Sequence, residues 1–129
     1  MEGALKLKEI SYAHAEGFSD GDIKHGPIAL VNPDTPVLFI AVKGETYEKV
    51  LGNIEEIRAR NGKTIVITNY TDGRLEKLSD DIITVPETSE CFSPLLSVIP
   101  LQLFAYYMAA ALGRDIDQPR NLAKTVTVE

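Results

Sequence analysis

The sequence predicts an α/β fold, a three-layer sandwich built around a parallel sheet, and three observations support this prediction. The run of residues 37–42 is apolar throughout, which suits a strand covered on both faces. Shorter strand-like runs follow at 64–68 and 81–85, and helix-like segments separate and flank the runs. Strand-helix-strand spacing of this kind is typical of parallel sheets, so we expect residues 37–42 to form an interior strand.

The helical segments carry recognisable start and stop signals. We predict helices at residues 2–16, 46–60 and 93–112, with a short turn opened by Pro27 at 28–31. Thr46 and Ser93 are residue types that cap helix N-termini, and Gly17 and Gly113 are suited to end helices. Pro100 lies inside the last segment and predicts either a kink there or a later helix start.

The organisation of the chain suggests that part of the sheet lies elsewhere. Only three strands are evident, fewer than a doubly wound sheet usually has, and the sequence begins directly in a helical segment. We therefore expect a further strand upstream, in a longer polypeptide. We assign residues 1–113 to this partial domain. Residues 114–129 have little helical period, so we assign them to a C-terminal tail that packs as an irregular arm.

Composition excludes several classes of protein. The formal net charge is −6 and no Lys/Arg cluster offsets it, so we expect no nucleic acid partner. The longest apolar stretch, near 94–112, is interrupted by Ser97, Pro100 and Gln102, so we expect no membrane partner. One cysteine and the absence of an N-terminal apolar core favour a cytoplasmic location. Two histidines and one cysteine give no zinc spacing, and we expect neither metal nor cofactor.

The first helical segment presents three charged residues on one face. Glu2, Lys6 and Glu9 stand at i, i+4 and i+7. A solvated face with ordinary ion pairs explains this stripe, and from the pattern alone that interpretation is favoured. The alternative is a carboxylate-ammonium-carboxylate set that lines a pocket, in which Lys6 favours the ionised form of Glu9 and Glu9 acts as a general base.

Two further residues are candidates for chemistry. His25 lies in a Lys-His-Gly-Pro turn, where a histidine is more often a surface hydrogen-bonding group than a catalyst, although turns also position proton-transfer groups. Lys124 lies in the tail, which is either a frayed end or an arm packed through Val126 and Val128. A held lysine is what Schiff-base chemistry requires. Cys91 has no evident base and is interpreted as a packed or idle thiol.

Four segments carry a resemblance to a known family. They are EGALKLKEISY at 2–12, IKHGPIAL at 23–30, VIPLQL at 98–103 and DQPRNLAKTVTVE at 117–129. Together they closely resemble the second sugar isomerase (SIS) domain, and the C-terminal end, of the glucosamine-6-phosphate synthase family. The resemblance implies a flavodoxin-like SIS fold that makes glucosamine 6-phosphate from fructose 6-phosphate. It also implies three partners: a glutaminase domain that supplies ammonia, a first SIS domain and a second copy in a homodimer.

The same resemblance implies a role for each matching residue. Lys124 forms the Schiff base with the sugar, Glu9 moves a proton between C1 and C2, and Lys6 lines the same site. His25 assists ring opening in the neighbouring subunit. Three residues contact the substrate: Glu2, Asn121 and Ala123. Because the glutaminase domain and the phosphate-binding loop of the first SIS domain are absent from this sequence, we expect the chain to be inactive alone.

Two other interpretations stay open. One is a related SIS deglycase or phosphosugar isomerase, against which the ending through Glu129 argues, because this ending resembles the synthase family. The other is a non-catalytic module that senses phosphosugars. Such a module would not need Glu9 and Lys124 together.

Overall fold

The computed structural model describes residues 1–122. Its helices and strands are α1 Glu2–Ser11, β1 Pro36–Ile40, α2 Tyr47–Arg58, β2 Lys63–Thr68, α3 Gly73–Leu78, β3 Asp81–Thr84 and α4 Ser93–Ala111. Short 3₁₀ turns lie at Ile23–His25, Pro27–Leu30 and Glu90–Phe92. The chain divides into two compact units. The central unit is Phe18–Pro100, and the terminal unit is Met1–Gly17 together with Leu101–Glu129, of which residues up to 122 are described.

The central unit is built on a parallel sheet. Within residues 1–122 the sheet has three strands in the order β1-β2-β3, and both pairs are parallel. Phe39 pairs with Val66, and Val66 pairs in turn with Ile82. β2 is therefore the interior strand, with a partner on each side. The α/β fold with a parallel sheet is confirmed.

The prediction that residues 37–42 form an interior strand is wrong for the described part of the chain. There β1 pairs only with β2 and lies at an edge of the sheet, and it ends at Ile40, whose side chain is 43% exposed. An apolar run reports that both faces of a strand are covered. It does not report how many strands pair alongside, because hydrogen bonding between strands uses backbone groups that every residue carries.

The core of the central unit lies between one face of the sheet and α2. Helix α2 buries residues at helical spacing, Val50, Leu51, Ile54 and Ile57, so that one stripe of the helix is apolar. This stripe packs with Phe39 of β1, Ala41 just after it, Val66 of β2 and Leu75 of α3, and Tyr47 at the start of α2 belongs to the same cluster. Packing of this apolar stripe, rather than the intrinsic helix propensity of its residues, fixes the position of α2.

In the turn after α2, one residue adopts the positive φ and the next one occupies a position with no room for a side chain. Asn61 has the positive φ, 59°, and Gly62 donates its N–H to the carbonyl of Ile57 at 3.1 Å. A Cβ on Gly62 would lie 2.6 Å from Val31 Cγ1 and 2.7 Å from Ile57 Cγ2. Gly62 is therefore required because two side chains occupy the space around it. At the other end of α2, Thr46 holds the predicted N-cap position, but its side chain makes no capping hydrogen bond.

Helix α3 was not predicted, although its start has a clear cause. The carboxylate of Asp72 accepts hydrogen bonds from the backbone N–H groups of Arg74 at 3.0 Å and Leu75 at 2.7 Å. These backbone bonds, with that to Leu75 the larger cause, lower the pKa of Asp72. Leu75 is fully buried and fixes the short helix to the core.

The terminal unit contains α1 and the end of α4. Helix α1 ends at Ser11, five residues before the predicted end, because Tyr12 adopts a left-handed conformation with φ 63°. The close approach of α1 to α4 depends on Gly3, where a Cβ would lie 2.9 Å from Leu101 Cβ. Helix α4 continues through Pro100, and Gly113 follows it at φ 63°, as predicted.

One segment of the described residues meets a simple criterion for a membrane span. Glu90–Ala111, which comprises a 3₁₀ turn and α4, is 22 residues long and apolar enough to cross a bilayer. Despite the polar residues that interrupt this stretch, its length and composition are therefore compatible with a membrane span. The core helix of a soluble protein meets the same criterion, so a single segment of this kind is weak evidence for a membrane span.

Candidate functional site

The charged stripe of α1 forms a compact cluster in the terminal unit. Lys6 Nζ lies 2.7 Å from Glu9 Oε2 and 3.8 Å from Glu2 Oε1. The i,i+3 and i,i+4 spacings produce this arrangement, because they place all three side chains over successive turns of one helix face. Glu9 is the most protected member, with 26% of its side chain exposed.

The electrostatics of the cluster favour a charged lysine. The pKa of Lys6 is raised, and the main cause is its hydrogen bond to Glu9. Partial burial lowers this pKa, but the negative charges of Glu9 and Glu2 raise it further. Lys6 is therefore an ammonium at neutral pH. Lys6 donates this hydrogen bond to Oε2 of Glu9.

This arrangement has a definite chemical capacity. A half-buried carboxylate beside an ammonium can take a proton from a carbon acid and return it to a neighbouring atom, since one carboxylate can serve two adjacent positions. The adjacent positive charge can also stabilise negative charge that develops on a substrate oxygen. The same distances describe an ordinary helical ion pair, which stabilises a helix by about 0.2–0.5 kcal/mol.

His25 lies in the central unit, exposed at the end of the 3₁₀ turn Ile23–His25. Its backbone N–H donates to the carbonyl of Asp22 at 3.0 Å. Gly26 follows with φ 144°, a conformation that only glycine adopts readily, and Pro27 begins the next turn. Lys24 pairs with Glu56 of α2 at 2.6 Å and so fixes the turn to the core of this unit.

Of the three candidate residues in the tail, only Asn121 lies within the described residues. Asn121 is exposed and has φ 61°. Ala123 and Lys124 lie outside the described residues, so their predicted roles remain predictions. The structure thus brings Glu2, Lys6 and Glu9 together in the terminal unit and places His25 in the central unit.

Tyr12, which no sequence pattern singled out, contacts the segment after α4. The ring of Tyr12 lies under the guanidinium carbons of Arg120 at 4.2 Å and Arg114 at 5.3 Å, and its Oη accepts the backbone N–H of Arg120 at 2.9 Å. No local signal could have revealed this contact, because Tyr12 and Arg120 are 108 residues apart.

Metal chemistry receives no support from the part of the chain that the structure describes, where no group of three metal-ligating side chains occurs. Cys91 is exposed, and its Sγ lies 3.3 Å from Ser89 Oγ. The interpretation of Cys91 as a packed thiol is therefore wrong, and the alternative of an idle thiol stays a prediction.

The parallel sheet, the helices around it and the α1 cluster are described above, and sequence comparison identifies the class of protein that has them. The sequence pattern of the SIS domain matches residues 1–112, and the chain belongs to the SIS domain family.

Curated relatives narrow this class. The chain is 58% identical over 128 residues to the glutamine–fructose-6-phosphate aminotransferase [isomerizing] of Thermus thermophilus, in an alignment that covers 99% of this chain. It is 56% identical over 129 residues to the enzyme of the same name from Aquifex aeolicus. It spans 21% and 22% of the lengths of these two relatives, about a fifth of each.

Solved structures agree with the family assignment. The C-terminal domain of glucosamine-fructose-6-phosphate aminotransferase from Francisella tularensis superposes with a TM-score of 0.79 at 38% identity, over 90% of this chain and 33% of that one. A putative tagatose-6-phosphate ketose/aldose isomerase from Clostridium novyi gives a TM-score of 0.80 at 24% identity, over 98% of this chain and 36% of that one. The second likeness shows a shared fold only.

Proposed function

We propose that this chain forms the sugar-isomerising part of a glutamine–fructose-6-phosphate aminotransferase, with fructose 6-phosphate as substrate and glucosamine 6-phosphate as product. The identity to curated relatives over almost the whole chain supports this assignment. The observation that carries it is the position of Lys6, whose ammonium contacts Glu9 at 2.7 Å on the helix face that the resemblance assigns to the sugar site.

The proposed chemistry requires one base that serves two carbons. Lys124 first forms a Schiff base at C2 of the open-chain ketose, with loss of water, and ammonia then displaces the lysine amine to leave an imine at C2. Glu9 then takes a proton from C1 while the imine nitrogen gains one, which gives a 1,2-enolamine. Return of the proton from Glu9 to C2, with loss of the C1 hydroxyl proton, leaves an aldehyde at C1 and an amine at C2. Lys6 holds Glu9 in place and offsets negative charge during the transfer.

The remaining roles follow the resemblance. Lys124 forms a Schiff base with the open-chain sugar, which requires its amine to be neutral when it attacks. His25 assists ring opening in the site of a neighbouring subunit, and its exposure on a rigid Gly-Pro turn supports a role at a partner surface. Residues 114–129 act as a catalytic tail, and contacts to the sugar come from Glu2, Asn121 and Ala123.

We further propose that the chain works with a glutaminase domain and a first SIS domain, as a homodimer in the cytoplasm. The small share of its relatives that the chain spans supports this composite organisation. Apolar side chains of the terminal unit are also left exposed on α4, among them Leu103, Tyr106 and Tyr107, and such a surface suits a protein partner.

The experiment uses a hybrid enzyme, in which this chain replaces the matched segment of the Thermus thermophilus relative. Glu9→Gln keeps the size of the side chain but removes the base, so kcat for glucosamine 6-phosphate should fall about 10²- to 10⁴-fold. Glu55→Gln is the matched control: Glu55 is an ion-paired glutamate on α2, 2.9 Å from Arg74, and its loss should leave kcat within about threefold.

The chain without the other domains provides the background measurement and should form no product from glutamine. A Glu9→Gln hybrid with near-normal kcat would exclude Glu9 as the base. A hybrid that binds fructose 6-phosphate but does not turn it over, even with Glu9 intact, would favour the sensing module.

A further inference from the structure

The ring of Tyr12 is the centre of a clasp, defined here as Tyr12, Arg114 and Arg120. Two guanidinium groups lie over one half-buried ring, at 4.2 Å and 5.3 Å from its centroid. The phenol oxygen adds a backbone hydrogen bond from Arg120 at 2.9 Å. All three contacts lie in the terminal unit and join the end of α1 to the segment that follows α4.

The backbone around the clasp is shaped to make these contacts. Tyr12 has φ 63°, and a bulky aromatic residue adopts this left-handed conformation only where surrounding contacts compensate for its strain. In the following segment, the Asp115 carboxylate accepts the N–H groups of Asp117 at 3.1 Å and Gln118 at 2.9 Å. This local turn shapes the segment between the two arginines of the clasp.

We propose that Tyr12 is a positioning residue that aligns the tail with the proton-transfer site. It directly follows the helix that carries Lys6 and Glu9, and it contacts Arg120, which is four residues before Lys124. Four residues of chain span at most about 14 Å, so a clasped Arg120 limits the reach of position 124. The inference rests on the proposed function, because it is the Schiff-base role that makes this reach matter.

The first test measures the clasp itself in the full 129-residue chain, by hydrogen exchange and mass spectrometry. Two cation–π contacts correspond to roughly a five- to thirtyfold shift of the docking equilibrium, so Tyr12→Leu should speed exchange of residues 115–122 by that factor. Tyr107→Leu is the matched control, since Tyr107 is also a tyrosine of the terminal unit but is 66% exposed and packs edge-to-face on Tyr106. Unchanged protection of the β2 amides and of the α4 amides at 101–111 would show that both units of each variant fold. Equal exchange of residues 115–122 in Tyr12→Leu and the original chain would overturn the proposal.

The second test measures the catalytic consequence in the hybrid enzyme. Tyr12→Leu should slow borohydride trapping of the sugar on the protein at least about fivefold at saturating fructose 6-phosphate, in line with the loss of the ring contacts. Tyr12→Phe keeps both ring contacts and loses only the phenol acceptor, so it should restore most of the trapping rate. This rescue separates loss of the ring contacts from general damage to the fold.

The outcomes distinguish this inference from the proposed function. A hybrid with the original sequence and no activity counts against the proposed function, while the exchange data still decide whether Tyr12 holds the segment. An active hybrid in which Tyr12→Leu traps sugar at the original rate overturns the positioning role, whatever the exchange data show.

Discussion

The first prediction tests how much the hydrogen bonds between Asp80 and Thr64 contribute to the stability of the sheet. Asp80 precedes β3, and its Oδ2 accepts the backbone N–H of Thr64 in β2 at 2.7 Å and the Thr64 hydroxyl at 3.1 Å. Its Oδ1 lies 3.2 Å from Arg58 Nη1. Thr64 is fully buried, so Asp80→Ala removes the partner of a buried N–H group.

The size of the effect follows from these bonds. A hydrogen bond to a charged group contributes about 1.5–3 kcal/mol, and an exposed ion pair such as that with Arg58 adds at most about 1 kcal/mol. Asp80→Ala should therefore lower the free energy of unfolding by about 1.5–4 kcal/mol in urea denaturation near neutral pH. Arg58→Ala, which removes only the exposed pair, should cost less than about 1 kcal/mol.

The pH dependence supplies an independent check. The hydrogen bond from the Thr64 backbone, as the main cause, lowers the pKa of Asp80 below its ordinary value. The stability from Asp80 is thus fully present above the unfolded-state pKa, about 3.9, and is lost as pH falls through the lower folded-state pKa. The difference in free energy of unfolding between the original chain and Asp80→Ala should therefore shrink as pH falls through that acid range. A stability loss in Asp80→Ala no larger than that in Arg58→Ala would refute the reasoning.

Two further predictions concern the core and the tail. Leu51 is fully buried in α2, so Leu51→Ala should lower the free energy of unfolding by about 2–5 kcal/mol, whereas Leu95→Ala, at a position 64% exposed, should cost well under about 1 kcal/mol by the same denaturation assay. In the hybrid enzyme, Lys124→Arg keeps the charge but cannot form the imine, so it should abolish borohydride trapping and reduce activity almost as much as Lys124→Ala. Near-normal activity in Lys124→Arg, measured beside the alanine variant, would end the Schiff-base assignment.

The sequence contained enough information for most of the central unit. Strands β2 and β3 lie within one residue of their predicted bounds, since β-branched runs between polar turns have few other solutions. Helix α3 was missed because six residues are too few for a periodic signal, although the capping carboxylate of Asp72 was visible. The end of α1 was missed because a left-handed tyrosine, here Tyr12 with φ 63°, has no local sequence signal.

The candidate site was predictable only in its local part. Glu2, Lys6 and Glu9 are brought together by helix geometry, which spacing alone determines. Spacing does not distinguish a catalytic set from ordinary ion pairs, because both produce the same pattern. Tyr12 required knowledge of a contact across 108 residues, which local patterns do not contain.

The turn after α2 has a consequence for how this sequence can vary. Asn61 supplies the left-handed backbone, and Gly62 supplies empty space between Val31 and Ile57. The two residues are therefore not interchangeable, even though both types are common in turns. Glycine at position 61 would keep the backbone conformation, whereas any side chain at position 62 would force Val31 and Ile57 apart. A side chain at position 62 therefore requires smaller residues at both positions 31 and 57.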